Sequence, residues 1–254
     1  MAKKKRNSWR SVLWALTVLL LFSFTAYFLV NHFNHPSFKH YKAFGIGIPV
    51  NYGIHGIDVS KHQQTIAWQE VKKMNVNNVK IGFAFIKATE GLGRVDEQFR
   101  RNWFHAQKAG IPRGAYHFFI SSKSGKAQAE NFIETVRLQK GDLPPVLDIE
   151  QTNGASAAEM QERVADWLQM VEKKYRVKPI IYTNADFYTN FLSGRFDDYP
   201  LWVAHYLVQD KPRVQRSWHF WQHSESGHVN GIEPYVDFNV FNGDSAAFKR
   251  LLIR

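Results

Sequence analysis

Pro144-Pro145-Val146-Leu147-Asp148-Ile149-Glu150 is a short apolar run that ends in two carboxylates two residues apart. As a buried strand it sends Asp148 and Glu150 to the same side, because side chains alternate across a strand. Two like charges placed there disfavour each other's ionisation. That arrangement suits acid/base chemistry, which needs one carboxyl protonated beside another that is ionised. The same pattern also occurs as a pair of metal ligands or as solvated loop charge, so these seven residues leave three readings open.

The surrounding chain narrows the choice. From residue 54 onward, short apolar runs alternate with helical patterns, as a parallel sheet with crossover helices requires. The spacing predicts strands over 54–58, 81–87, 113–119, 145–149 and 179–182. Helices are predicted over 65–74, 97–108, 124–138, 155–175 and 185–192. After that the helices thin out, and 201–204, 218–222 and 235–238 read as strands joined by loops. The fold class is therefore α/β: a modified TIM-like barrel of five β/α units plus three strands, preceded by one N-terminal transmembrane helix. In such barrels the active site lies at the C-terminal ends of the strands. Those ends carry Asp58, Lys87, Glu90, Tyr116, Asp148, Glu150, Tyr182, Tyr206, Gln222 and Asp237, a set rich in carboxylates and rings.

The N-terminal quarter has a different composition. The segment 12–30, VLWALTVLLLFSFTAYFLV, contains no charge and is long enough for the roughly 20 residues that span a bilayer as a helix. A cleaved signal has a shorter apolar region with small residues before the cut. Here Phe24 and Tyr27 crowd Ala26, the one small-residue candidate, so the segment reads as an uncleaved signal anchor. Lys3, Lys4, Lys5, Arg6 and Arg10 precede it, which keeps the N-terminus cytoplasmic and places everything after residue 30 outside. The expected divisions are a basic tail over 1–11, the anchor over 12–30, a linker over 31–53 and the barrel over 54–254. Residues 31–53 show no clean period and read as a tether. Their scattered histidines, His32, His35 and His40, read as solvated rather than metal-binding.

Seven cations and no acidic side chain before residue 54 account for most of the net charge of +11. The remainder carries +4, so the basic balance belongs to the terminus and does not imply a nucleic-acid partner. The chain has no cysteine, which excludes disulfides, Cys-ligated zinc and thiol catalysis. No Ser/His/Asp set, Gly-rich phosphate loop or His-x-x-x-His pair competes with the carboxylates, and no cofactor or metal is expected.

Several ordered motifs carry a resemblance. Gly56-Ile57-Asp58-Val59-Ser60, Phe85-Ile86-Lys87-Ala88-Thr89-Glu90-Gly91, Gly114-Ala115-Tyr116-His117-Phe118, Pro145 to Glu150, Leu201-Trp202-Val203-Ala204-His205-Tyr206, Trp221-Gln222 and Val236-Asp237 are similar to the signatures of family 25 glycoside hydrolases, the cell-wall lysozymes. The resemblance covers about residues 54–242, and the family fold matches the predicted barrel. It implies an N-acetylmuramidase that hydrolyses the β-1,4 bond between N-acetylmuramic acid and N-acetylglucosamine in peptidoglycan.

By the same resemblance Glu150 matches the general acid/base, with its pKa raised by Asp148 and by burial. Asp148 matches the second carboxylate, acting as nucleophile or orienting the substrate's 2-acetamido group as an internal nucleophile. Enzymes that use their own nucleophile hold the two carboxyls about 5–5.5 Å apart, and neighbours at i and i+2 can approach that. Asp58 and Asp237 match two further acidic positions. Tyr116, Trp202, Tyr206, Lys87 and Glu90 are the candidate substrate-binding residues. Each has a structural reading beside the functional one. Asp58 can cap the following turn, Asp237 can be a salt-bridged loop carboxylate, Lys87 and Glu90 can pair with each other, and Trp202, Tyr206 and Trp221 can be core aromatics. His117, which alternates away from Tyr116, reads as a packed core histidine. Two other functions use the same features: a glycosidase acting on chitin-like polymers, and a non-catalytic wall-binding scaffold. The anchor places the enzyme in a bacterial inner (cytoplasmic) membrane as a single-pass protein, with its catalytic domain periplasmic or extracellular. No wall-binding repeat was found, which suggests local wall cutting by a tethered enzyme. Ser224 to Asn230 is expected to be a polar loop.

Overall fold

The computed structural model describes residues 8–34 and 37–254, with side chains in the first stretch described at 9 and 12–25. The chain divides into two units, Met1–Ser37 and Phe38–Arg254.

Among the described residues the first unit contains one helix, Ser8–Asn34. It contains the expected membrane segment over 12–30, of which the side chains of 26–30 lie outside the described residues, as does most of the expected basic tail. Among the described residues no helix is long and apolar enough to cross a membrane.

The second unit is an eight-stranded barrel. Its strands are β1 (Ile54–Val59), β2 (Val79–Glu90), β3 (Arg113–Phe118), β4 (Val146–Asp148), β5 (Ile180–Asn184), β6 (Leu201–Ala204), β7 (Phe220–Val229) and β8 (Ile232–Phe241). Neighbours from β1 through β7 pair in parallel. β8 closes the ring antiparallel to both β7 and β1. Between the first strands run α1 (Trp68–Lys73), α2 (Phe99–Lys108), α3 (Gly125–Thr135) and α4 (Ala157–Tyr175). A shorter helical stretch follows β5, over 185–192. Five β/α units followed by three strands is the predicted order. Ser124 and Ser156 stop α3 and α4 from extending N-terminally, each accepting a hydrogen bond from a first-turn amide.

Two separate apolar layers hold the barrel. The outer one lies between strands and helices and includes Val164, Trp167, Leu168 and Val171 of α4. The inner one fills the barrel with rings: Phe83, Phe85, Trp202, Phe220, Phe241 and Phe248. Phe83 needs Gly56 on the neighbouring strand, since a Cβ there would sit 2.4 Å from its ring; Phe85 needs Gly114 in the same way, at 2.6 Å. Phe248 comes from the C-terminal helix α5 (Ser245–Leu251) and packs on Phe83 and Phe241. The same strand faces that carry these rings carry the polar residues of the cleft further along: Phe83 and Phe85 lead to Lys87, and Phe220 leads to Gln222.

Two expectations are corrected. The expected tether over 31–53 begins as helix, through Asn34, and from Phe38 onward belongs to the barrel unit. Phe38–Tyr41 and Ile46–Pro49 pair antiparallel as a hairpin that belongs to the barrel unit. Phe44 is fully buried 5.3 Å from the Phe238 ring, and Phe38 meets Trp221 edge-on at 5.7 Å. Burial of these rings, worth about 1.5–3 kcal/mol each, holds the hairpin down. The alternation of Ile46, Gly47 and Ile48 was the period-two signal for it. The polar loop over 224–230 is likewise strand: β7 runs to Val229 and, through bulges, turns at Asn230-Gly231 into β8. Its polar residues alternate with buried Gly227 and Val229.

Candidate active site

At the C-terminal ends of the parallel strands a cleft of about 240 Å³ opens, walled by Asp58, Asp148, Glu150, Asp237, Tyr116 and Lys87, with Trp202 and Gln222 at its floor. Strand alternation accounts for the set. Asp58 is two residues beyond Gly56, Lys87 two beyond Phe85, and Gln222 two beyond Phe220, so each leaves the same face as the inner core. Asp237 arrives from the opposite direction: it pairs with Asp58 across the antiparallel β8–β1 ladder, and Asn239 pairs with Gly56.

Asp148 is buried, and its carboxyl is pushed well above the ordinary range, first by burial and then by the negative charge of Glu150. One of its oxygens, Oδ1, has no hydrogen-bond partner among the described residues. Glu150 is half-buried and also raised, first by burial; its hydrogen bond with Asp148 works the other way and lowers it. This corrects the expectation that Asp148 raises Glu150. The pair retains a proton above the usual carboxylate range, and Glu150 is the member nearer to solvent. The Lys87 ammonium lowers both.

Asp58 and Asp237 form a second pair, with a hydrogen bond between their carboxyls. Burial pushes Asp237 up to about 9, and the Asp58 charge adds to it. Asp58 is raised by burial and lowered by the amides that donate to it. Its Oδ2 accepts from Gln222 Nε2 at 2.8 Å and from Asn239 Nδ2 at 2.8 Å. Gln222 Nε2 also reaches Asp237 Oδ2 at 3.2 Å. On its other end Gln222 Oε1 accepts from the hydroxyls of Tyr182 at 2.7 Å and Tyr206 at 2.5 Å. One amide thus connects two carboxyls to two phenols. The donors on Asp58 stabilise its charged form, so the pair's proton resides on Asp237.

The remaining candidates fall in three places. Tyr116 lies in the cleft wall; burial and four surrounding carboxylates push its phenol well above its usual value, so it stays neutral. Trp202, a candidate substrate-binding residue, is only 1% exposed; its ring stacks on Phe85 at 4.3 Å and its Nε1 donates to Asn239 Oδ1 at 2.8 Å. It forms the floor and orients Asn239. Tyr206 is joined to the cleft through Gln222. Lys87 donates to Glu90 Oε2 at 2.8 Å, and Glu90 also takes Arg94 at 3.0 Å, so Glu90 lies beside the cleft rather than in it. His117 is fully buried between Thr89 Oγ1 at 2.7 Å and Gln128 Oε1 at 3.2 Å, with its ring stacked on Trp167: a packed histidine on the outer face.

The comparisons with known proteins agree with this geometry. The family model "Glycosyl hydrolases family 25" matches residues 57–232. The chain belongs to that family. It is 48% identical over 219 residues to YegX of Escherichia coli (strain K12), which covers 86% of this chain and 80% of that protein. Over 216 residues it is 37% identical to Lysozyme M1 of Streptomyces globisporus, covering 79% of this chain and 72% of that one. Among solved structures, a family 25 glycosyl hydrolase from Bacillus anthracis superposes with a TM-score of 0.74 at 33% identity, over 87% of this chain and 99% of that one. The protein is a glycoside hydrolase with the family's eight-stranded barrel.

The sequence places Gln222 and Tyr182 at strand ends without assigning them a role, and it does not single out Asn239. The signal for Asn239 was available: it is two residues beyond Asp237 on the same strand, and so shares its face. What the chain alone does not reveal is the register that brings Asn239 against Asp58.

Proposed function

We propose that this family 25 enzyme is an N-acetylmuramidase that cuts the β-1,4 bond between N-acetylmuramic acid and N-acetylglucosamine in peptidoglycan. The observation that carries the reading is the buried Asp148–Glu150 pair, which retains a proton in a cleft with two further carboxyls. Glu150, the more exposed member, meets the glycosidic oxygen and donates the proton as the bond breaks; it then takes a proton from the attacking water. Asp148 lies behind it, where it stabilises the positive charge that develops on the sugar or orients the 2-acetamido group. The Asp58–Asp237 pair, fixed by Gln222 and Asn239, brings one negative charge rather than two to the cleft floor.

The resemblance to Lysozyme M1 supports the substrate. Both carboxylates of the D-x-E pair are kept, which disfavours a non-catalytic scaffold. For location we propose a single-pass anchor over 12–30 in a bacterial cytoplasmic membrane, with the N-terminus inside and the barrel in the periplasm or outside the cell. Support comes from the uncharged nineteen-residue segment behind five cations.

The test digests purified peptidoglycan with the full-length chain, reduces the fragments and identifies their ends by mass spectrometry. Reduced muramic acid at the new ends is expected. Reduced glucosamine would move the cut to the other linkage, and cleavage of chitin oligomers in place of peptidoglycan would move the enzyme to another substrate class.

A further inference from the structure

A second cavity, of about 430 Å³, adjoins the catalytic cleft and shares Lys87 and His62 with it. Its walls carry three cations, Lys61, Lys87 and Arg94, and three carboxylates, Glu90, Asp96 and Glu97. No aromatic ring other than the His62 imidazole lines it. A third recess, which shares Gln63 with the cleft, is lined by Gln64, Thr65 and residues 231–234, with Glu233 its one charge. A neutral sugar ring is bound by hydroxyl-directed polar groups and apolar faces, and gains little from six charges. A short peptide with free carboxylates and an amine is what a pocket of both signs fits.

The pocket has a fixed back and a free rim. Asp96 is buried and accepts from the backbone amides of Lys61 at 2.9 Å and Gln98 at 3.0 Å, which ties the turn after β1 to the start of α2. Lys87 lies against the Phe118 ring at 4.6 Å and on Glu90. At the rim Arg94 uses one nitrogen, Nη1, on Glu90, and its side chain is 82% exposed. Among the described residues its guanidinium has no second partner. Four of the five N–H donors of the guanidinium therefore remain for a carboxylate, which that group binds in bidentate fashion. Lys61 and Glu97, 3.3 Å apart and both exposed, complete the rim with one charge of each sign.

We propose that this pocket binds the stem peptide carried on the lactyl group of muramic acid, so that the enzyme prefers peptide-bearing glycan to bare glycan; the proposal rests on the muramidase reading above. The peptide branches from the sugar next to the cut bond, and the pocket opens beside Lys87, next to Glu150. Arg94 and Lys61 take the peptide's carboxylates, and Glu97 takes its amine.

The experiment compares two substrates from one wall preparation: glycan strands with intact peptides, and the same strands after an amidase has removed them. Full-length wild type is expected to show about tenfold higher kcat/KM on the first, a factor equal to about 1.4 kcal/mol. The Arg94→Ala, Lys61→Ala double variant is expected to bring that ratio close to one through KM, with its rate on bare glycan unchanged. Equal kcat/KM of wild type on both substrates overturns the proposal and leaves the muramidase reading standing. A preference that survives in the double variant also overturns it. Failure of wild type to cut either substrate overturns the muramidase reading and this inference with it.

Discussion

Asp237 lies directly across the β8–β1 ladder from Asp58, and their carboxyls hydrogen-bond to each other. An antiparallel strand is the only way to bring a residue of the last strand to this rim while its neighbours Asn239 and Phe241 point down the same face. The folded protein holds a proton on Asp237 up to about pH 9. The unfolded chain releases it in the ordinary carboxylate range. Folding therefore takes up a proton in that window, and stability falls as pH rises through it. Asp237→Asn keeps a neutral donor and removes this cost. The variant is expected to gain Tm relative to wild type at pH 8.5 and to match it more closely at pH 5. Asp58→Asn removes the charged partner instead, and is expected to lose more activity than Asp237→Asn. Thermal melts at the two pH values and kcat/KM of the two variants check this; a pH-independent Tm difference would remove Asp237 as the proton's site.

Gln222 should be sensitive to both polarity and shape. Gln222→Glu keeps the shape but cannot donate to Asp58 or Asp237, and adds a charge to the buried pair. Gln222→Leu leaves the Tyr182 hydroxyl and part of Asp58 unpaired, at about 1–3 kcal/mol for a buried polar group. Both variants are expected to lose activity, by roughly 10–100-fold for the glutamate if its cost is about 1.4–2.8 kcal/mol in the transition state. The pH profile separates them: the glutamate shifts its basic limb, because it changes the charge around the carboxyls, and the leucine lowers Tm. Identical profiles for the two would deny Gln222 an electrostatic role.

The seven residues 144–150 were enough to suggest the chemistry, and the alternation of strand and helix patterns was enough to suggest the barrel, because both follow from side-chain periodicity along one segment. What escaped depended on pairing between distant segments. For Trp202 the sequence leaves substrate binding and core packing both open; its burial comes from Phe85, more than a hundred residues earlier in the chain. The hairpin at Phe38 read as tether because its short strands gain stability only from Trp221 and Phe238. Asn239 and Gln222 matter because of register across β7, β8 and β1, which hydrophobic pattern specifies by face but not by partner.

Glu150→Gln cannot carry the proton. General acid/base groups contribute about 10²–10⁴-fold, so at least a hundredfold loss of kcat is expected. Folding should persist, because the side chain is half-buried and the amide relieves repulsion with Asp148. Both carboxyls of the pair are raised. In wild type the proton is kept above the ordinary carboxylate range, so the basic fall of the kcat/KM profile should lie above that range. Lys87 lowers both groups, so Lys87→Met is expected to move that fall further upward. A profile of Lys87→Met superimposable on wild type would contradict the charge coupling.

Arg113 offers a control away from the site. It is buried under Trp103, 3.9 Å from the ring, and its Nε donates to buried Asp142 at 2.9 Å. Asp142 also accepts from the Gln139 amide at 2.7 Å. Removing one partner of a buried pair leaves an uncompensated charge and costs about 3–5 kcal/mol. Arg113→Met is expected to lower stability by that amount in denaturant melts, with kcat per folded molecule unchanged. A large drop in kcat at full folding would tie this pair to catalysis.

The barrel should lose stability in acid, and His223 should be one cause. His223 is buried beside Phe38 and Trp221, and neither ring nitrogen has a partner among the described residues. Burial lowers it to about 3, with buried His55 adding to the effect, and His55 itself is lowered by burial to about 4. Both stay neutral in the folded protein, while in the unfolded chain they take up protons near pH 6.5. The unfolded state then binds more protons, so stability is present above pH 6.5 and is lost as pH falls through the window down to about 3. His223→Leu removes one of the two groups and keeps an apolar side chain against Phe38. Its Tm is expected to fall less than that of wild type between pH 7 and pH 4. Because the hairpin rests on His223, protease sensitivity near Phe38 in acid should fall in parallel. Wild type and variant losing Tm equally over that range would place the acid sensitivity elsewhere.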